Sequence, residues 1–194
     1  MIAHPDDEAM FFVPAILNLQ KYNEISVLCL SNGNYAGLGK IREKELVKSC
    51  EALAISAPTT LDEPDLQDGP ILWKPDAVLK AVQRYLKQNP HDIVMTFDHR
   101  GVSSHPNHIS TFQGCRLLKN TTLLSLRTIN ICRKYCSLLE VFWCKPEQHH
   151  FFNLSASVNF RVLSQHHSQY VWFRKLFVLF SSYTFVNSFD IYKQ

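Results

Sequence analysis

No stretch of this sequence is long, apolar and uncharged enough to cross a membrane as a helix. The longest candidate towards the C-terminus, "LFVLFSSYTFVNSF" from Leu176 to Phe189, carries Ser, Thr and Asn and falls short of the ~20 residues a spanning helix needs. It is expected to be a buried segment rather than an in-plane membrane contact, with Arg174 and Lys175 at its edge. The apolar start is too short for the core of a signal peptide, so none is expected. Net charge is also small, +3, and no basic stretch is interleaved with aromatics, which argues against nucleic acid as a partner. Six cysteines stand at 29, 50, 115, 132, 136 and 144 without a C-x-x-C pair. Cys132 and Cys136 can share a helix face, but two thiols make a poor zinc site. Reduced, mostly buried thiols in a cytosol-facing protein are expected. Repeats and low-complexity segments are absent too.

What is present is a globular composition: 194 residues, 46% hydrophobic and 19% charged, enough for one domain over 1–194 with a real core. "EISVLCLSNGNYAG" reads as a buried strand running into a loop, and "KIREKELVKSCEALAI" as a helix. "TTLDEPDLQDGP" is a loop, and "DAVLKAVQRYLKQ" an amphipathic helix with Asp76 as N-cap. A strand follows over Ile93–Phe97, ending at Asp98, and "SSHPNHISTFQGCRLLKN" enters another helix. Beyond residue 120, "SLRTINICRKYC" suggests a strand and "NFRVLSQHHSQYVWFRKLF" a helix. Strands alternating with helices predict an α/β domain, a largely parallel sheet flanked by helices.

In such sheets ligands gather beyond the carboxyl ends of the strands. Three polar clusters fall there: His4–Glu8, Ser31–Tyr35 and Asp98–His108. Imidazole and carboxylate are ordinary ligands for a divalent metal, and Pro5 restricts the turn between His4 and Asp7. An acidic helix start is the plainer explanation. However, Pro14 suits a first helical turn, so the helix is expected to begin near it and leave the acids in a loop. "HPNH" at 105–108 offers two more histidines. His108 can complete a two-histidine, one-carboxylate set with His4 and Asp7, with a position open for water.

"AHPDDE" followed downstream by "HPNH" resembles the LmbE-like, or PIG-L, family of zinc-dependent de-N-acetylases. The longer segments "SNGNYAGLGKIREKEL", "VMTFDHRGVSSHPNH", "INICRKYCSLLE" and "HHSQYVWFRKLFVLFSSY" resemble its eukaryotic branch. The resemblance implies a Rossmann-like α/β fold and a Zn2+-dependent amidohydrolase. It implies N-acetylglucosaminyl-phosphatidylinositol as the glycolipid substrate, at the cytoplasmic face of the endoplasmic reticulum membrane, in the second step of glycosylphosphatidylinositol-anchor synthesis. By position, His4, Asp7 and His108 match the metal ligands, Asp6 the general base and His105 the residue that stabilises the oxyanion. Arg42 matches a substrate-contacting position, against a plain helix ion pair with Glu45. Asp98 is expected to hold His105 in one tautomer and raise its pKa. Glu8 reads as structural, while His166 is either a substrate contact or a packed core residue.

Two departures stand out. Only Met1 and Ile2 precede Ala3 of the first motif, where strands average about 5–6 residues. The first strand is therefore expected to be truncated to a stub, and the chain to be a shortened gene model or isoform without the family's N-terminal anchor. Membrane residence would then depend on a partner or on Leu176–Phe189. Asn107 stands where bacterial relatives have aspartate, which excludes a proton relay through that position. Competing expectations are an inactive chain serving as a regulatory subunit, or a deacetylase of a soluble amino-sugar conjugate.

Overall fold

The structure, a computed structural model, describes residues 1–146 and 148–193. A π-helical turn, Glu8–Phe12, runs into α1 (Val13–Leu19). Then come β1 (Leu28–Cys29), α2 (Gly39–Leu53), β2 (Thr59–Thr60), α3 (Pro75–Gln88) and β3 (Ile93–Phe97). They are followed by α4 (Gly101–Ser104), α5 (Pro106–Cys115), β4 (Thr122–Leu126) and α6 (Ile131–Lys134). The chain ends with β5 (His149–Phe152), α7 (Ala156–Leu163), α8 (Trp172–Phe180) and β6 (Val186–Lys193).

Pairing is parallel through the first part of the chain: β1 with β2, and β3 with β4 in a register that sets Ile93 opposite Thr122. β6 then inserts antiparallel between β4 and β5. The result is an α/β fold whose parallel strands end in an antiparallel edge. The stub is there. Ile2 donates to the Leu28 carbonyl at 2.9 Å and accepts from Leu30 N–H at 2.9 Å. On its other side the Met1 backbone nitrogen donates to the Met95 carbonyl at 2.8 Å. Met1–Ala3 therefore links β1 to β3, and His4 emerges where it ends. A cavity of about 320 Å³ lies at the other end, beside Met1, Ser26, Ile93 and Met95.

Several local expectations change. The helix starts at the acids, not at Pro14. The wider i→i+5 winding ends before the proline, which then occupies the first turn of α1, where no N–H is needed. Asp76 lies inside the first turn of α3 rather than at its cap, because Pro75 already takes the opening position. Only Ser125 and Leu126 of the "SLRTINICRKYC" stretch are strand; Asn130 then accepts from Arg133 N–H and caps α6. The long C-terminal helix breaks between α7 and α8, where His166 turns inward to meet Glu8 at 2.6 Å. Leu176–Phe189 is not one buried segment. Its second half, from Ser181, packs inside, but Leu176, Leu179 and Phe180 on α8 are exposed.

The core is aromatic around the site. Phe11 and Phe12 meet Phe97 edge-on, with centroids 6.1 and 5.4 Å away, and Phe97 stacks flat on the His108 ring at 4.0 Å. Cys29, Cys50 and Cys115 are buried and Cys132 is exposed, with no disulfide among the described residues. Burial pushes the Cys115 thiol up to about 12, which keeps it protonated and inert.

Candidate metal centre

Asp7 folds the first loop back on itself. Its Oδ2 accepts the N–H groups of Ala3 and His4 at 3.0 and 2.8 Å. Its Oδ1 then lies 3.1 Å from His108 Nε2. His108 reaches this point from the first turn of α5, which Pro106 opens and the His105 side chain caps by accepting from Asn107 N–H at 3.2 Å. Behind it, His108 Nδ1 donates to the Gly101 carbonyl at 3.0 Å. Gly101 has φ +63°, and a Cβ there would stand 2.9 Å from His108 Cβ. Gly101→Ala is expected to cost about 1–2 kcal/mol from the left-handed backbone alone and to weaken metal binding by pushing His108. Thermal unfolding and metal titration check the two effects separately.

The protons decide what this cluster can hold. His108 Nδ1 faces a carbonyl, so it carries the proton and Nε2 presents a lone pair. His4 Nε2 faces Asp68 Oδ1 at 3.0 Å and Asn107 Oδ1 at 2.9 Å, both acceptors, so it too is protonated and Nδ1 presents a lone pair. Asn107 is oriented by donating to the Ile71 carbonyl at 2.8 Å. His4 Nδ1 and His108 Nε2 lie 3.3 Å apart, with the Asp7 carboxylate 3.7 and 3.1 Å from them. With both rings neutral, three acceptors thus converge on one point. Ligands at ~2.0–2.1 Å on one tetrahedral zinc are roughly 3.3 Å apart, so the spacing suits a small divalent cation. Burial disfavours charge on both groups, yet the Asp68 hydrogen bond and the Asp7 charge raise the His4 pKa. His108 and His4 likewise hold the Asp7 carboxyl well below the usual carboxylate range.

His105 is the third imidazole, and one nitrogen from each of His4, His105 and His108 falls within 4.8 Å of the others. Burial first, and then the neighbouring His4 and His108, lower the His105 pKa to about 4. The expected rise in its pKa is therefore corrected to a fall, which leaves the ring neutral. Its Nδ1 accepts from Asn107, so Nε2 carries the proton. The expected partner is corrected as well. Asp98 makes no hydrogen bond or ion pair with His105 among the described residues. Its carboxylate accepts from the N–H groups of Arg100, Gly101 and Thr128 and from the Thr128 hydroxyl. At a strand end, orphan N–H groups of the next turn reach a carboxylate before any side chain does. Asp98 thus fixes the Gly101 carbonyl, and through it His108.

Asp6 sits at φ +131°, a conformation that L-residues adopt only when the surroundings enforce it. Glu8 enforces it by accepting from Asp6 N–H at 3.2 Å. Asp6 Oδ2 is held by Arg42 at 3.3 Å and by Arg174 of α8, while Oδ1 makes no hydrogen bond among the described residues. Arg42 is not paired with Glu45, which instead accepts from Ser168 N–H and hydroxyl at 2.7 and 2.6 Å. Four of its N–H directions serve the chain itself: Gly33 and Pro5 carbonyls, Asp6 and Asp68. Arg42 is thereby a brace for Asp6 and Asp68 more than a free hand for substrate.

Beneath lies a fully buried pair. Glu8 Oε1 accepts from His166 Nε2 at 2.6 Å and from the Ser49 hydroxyl. His166 is thus a core residue that anchors the loop, not a substrate contact. Burial opposes its charge, but Glu8 raises its pKa above 6.5. Glu8→Ala is expected to cost about 3–5 kcal/mol in urea unfolding by orphaning the buried imidazole. A raised histidine pKa adds stability that is full below about pH 6.5 and fades as pH rises through the folded value. The gap between wild type and Glu8→Gln should therefore narrow on the alkaline side.

The sequence reading missed Asp68 and Arg174. Asp68 lies in the loop beyond β2, so a carboxylate past a strand end was its available signal. Arg174 had none, being 168 positions from Asp6.

A family model described as PIG-L, GlcNAc-PI de-N-acetylase, matches residues 1–118. The chain belongs to the PIG-L family. A PIG-L relative from Bos taurus, N-acetylglucosaminyl-phosphatidylinositol de-N-acetylase, is 37% identical over 97% of this chain and 80% of its own length. A probable enzyme of the same name from Dictyostelium discoideum is 38% identical over 97% of this chain and 90% of its own. In fold, the chain is similar to N,N'-diacetylchitobiose deacetylase from Pyrococcus horikoshii, with TM-score 0.64, 16% identity, and coverage of 97% of this chain and 80% of that one. His4, Asp7 and His108 all fall inside the span matched by the PIG-L model, whereas Arg174 lies beyond it.

Proposed function

We propose that this chain hydrolyses the N-acetyl amide of N-acetylglucosaminyl-phosphatidylinositol, releasing acetate and the free amine. The reaction would take place at the cytoplasmic face of the endoplasmic reticulum membrane, as the second step of glycosylphosphatidylinositol-anchor synthesis. The named relatives support the substrate. The observation that carries the chemistry is the convergence of His4 Nδ1, His108 Nε2 and the Asp7 carboxylate. These three residues would hold Zn2+. When bound, zinc supplies Lewis-acid polarisation of the amide carbonyl and lowers the pKa of water to about 7.

The chain's own groups do the rest. Asp6 Oδ1 is free to take the proton of the attacking water, while Oδ2 stays fixed by Arg42 and Arg174. His105, neutral, donates from Nε2–H to the carbonyl oxygen as negative charge develops there. As the C–N bond breaks, the amine leaves with the proton returned from Asp6. Asp68 and Asn107 orient His4, and Asp98 with Gly101 orients His108. An assay of the whole chain on the glycolipid, with zinc added and with a chelator, tests this. Acetate release that the chelator abolishes supports it; a folded chain that takes up no metal and releases no acetate overturns it. A parallel arm with a soluble N-acetylglucosaminyl conjugate reports how much the lipid matters.

A further inference from the structure

α8 is amphipathic the wrong way round for a water-facing helix. Arg174 and Val178 point to the protein, Arg174 to Asp6 itself, and Phe177 packs edge-on against Phe11 at 5.8 Å. The opposite stripe carries Trp172, Phe173, Leu176 and Phe180, exposed by 72, 55, 43 and 53%. These positions are i, i+1, i+4 and i+8, one continuous helix face. Tyr135 widens the patch, and Ser137 ties the preceding turn to it by donating to the Leu179 carbonyl at 3.3 Å. A cavity of about 280 Å³ opens here between Met10, Tyr135, Phe173, Arg174, Phe177 and Phe180. It thus runs from the exposed stripe towards the π-turn that follows the metal-ligand loop.

We infer that α8 docks the chain on a lipid bilayer, its aromatic stripe in the acyl region and the candidate site facing the headgroups. This deepens the proposed function and rests on its glycolipid substrate. Two observations select a bilayer over a protein partner. The helix that presents the stripe also reaches Asp6, so the surface is continuous with the site where a lipid headgroup must arrive. Its charge is one-sided as well: Lys175 stands at its edge with no carboxylate between Trp172 and Phe189, which complements anionic lipid. A nine-residue helix is far too short to span, whereas an interfacial helix with Trp and Phe on one face and a lysine at its edge lies in the plane. The expectation of a buried segment is thereby reversed for its first half.

The test is co-sedimentation of the whole chain with vesicles of phosphatidylcholine containing phosphatidylinositol, beside the double variant Trp172→Ser, Phe180→Ser. Wild type should pellet, and the variant should partition roughly tenfold less for each aromatic removed. Both should release acetate equally from a water-soluble N-acetylglucosaminyl-inositol, which also shows that the variant folds. Only wild type should act efficiently on vesicle-borne glycolipid. Wild type that stays in solution, or a variant that pellets equally, overturns the inference. So does a concentration-dependent dimer that forms without vesicle binding and that the substitutions dissolve, since the stripe would then face a second copy. If wild type pellets through α8 but releases no acetate from either substrate, the docking surface stands and the catalytic reading falls.

Discussion

His108→Ala is expected to abolish zinc binding and to slow deacetylation by about 10³-fold or more. A Lewis-acid metal contributes several kcal/mol to the barrier, and each ~1.4 kcal/mol is a decade in rate. The effect is large because His108 is held from four sides. Phe97 lies flat against its ring, Gly101 accepts from Nδ1, Asp7 lies 3.1 Å from Nε2, and His4 Nδ1 lies 3.3 Å away. A ligand so fixed costs little to order when the cation binds, and its loss leaves two ligands. Metal content after dialysis, with acetate release, is the measurement. His108→Gln fills more of the space under Phe97 and guards against a variant that merely unfolds. One tightly held zinc per chain in either folded variant would remove His108 from the ligand set.

Asp6→Asn is expected to keep zinc and lose roughly 10²–10⁴-fold in turnover, the usual contribution of a positioned base. Asparagine preserves the volume, and Asp6 N–H can still donate to Glu8. What disappears is the basic carboxylate oxygen that takes the proton and the charge that Arg42 and Arg174 grip. The two losses separate by rescue. In Asp6→Ala, added formate should restore part of the rate if a proton acceptor is what is missing. A variant that fails only because Arg42 and Arg174 drift should instead regain nothing and show a raised KM. Near-normal turnover in Asp6→Asn would assign the base elsewhere.

The residues with metal-binding chemistry were legible because they are local. His4 and Asp7 share one loop, and His105 and His108 share one helix start, so spacing alone puts each pair on one side of the chain. The same holds for β3 and α2, whose apolar period is short-range. The helix start failed for a definite reason: a proline rule written for α-winding does not anticipate a π-turn that ends just before Pro14. Asp98 failed because a strand-end carboxylate has nearer donors in its own turn than in His105.

What the sequence by itself determined is therefore the kind of chemistry: imidazoles and carboxylates at strand ends, on an α/β frame. What only the tertiary structure decided is how those groups are held and which way the rest faces. Asp68 behind His4, Arg174 on Asp6 and His166 on Glu8 are contacts across 64, 168 and 158 positions, and no local pattern encodes them. The stripe on α8 makes the same point from the outside. Periodicity shows that a helix has an apolar face, but only packing shows whether protein covers it, and here Arg174 turns inward to Asp6 and leaves the aromatics exposed.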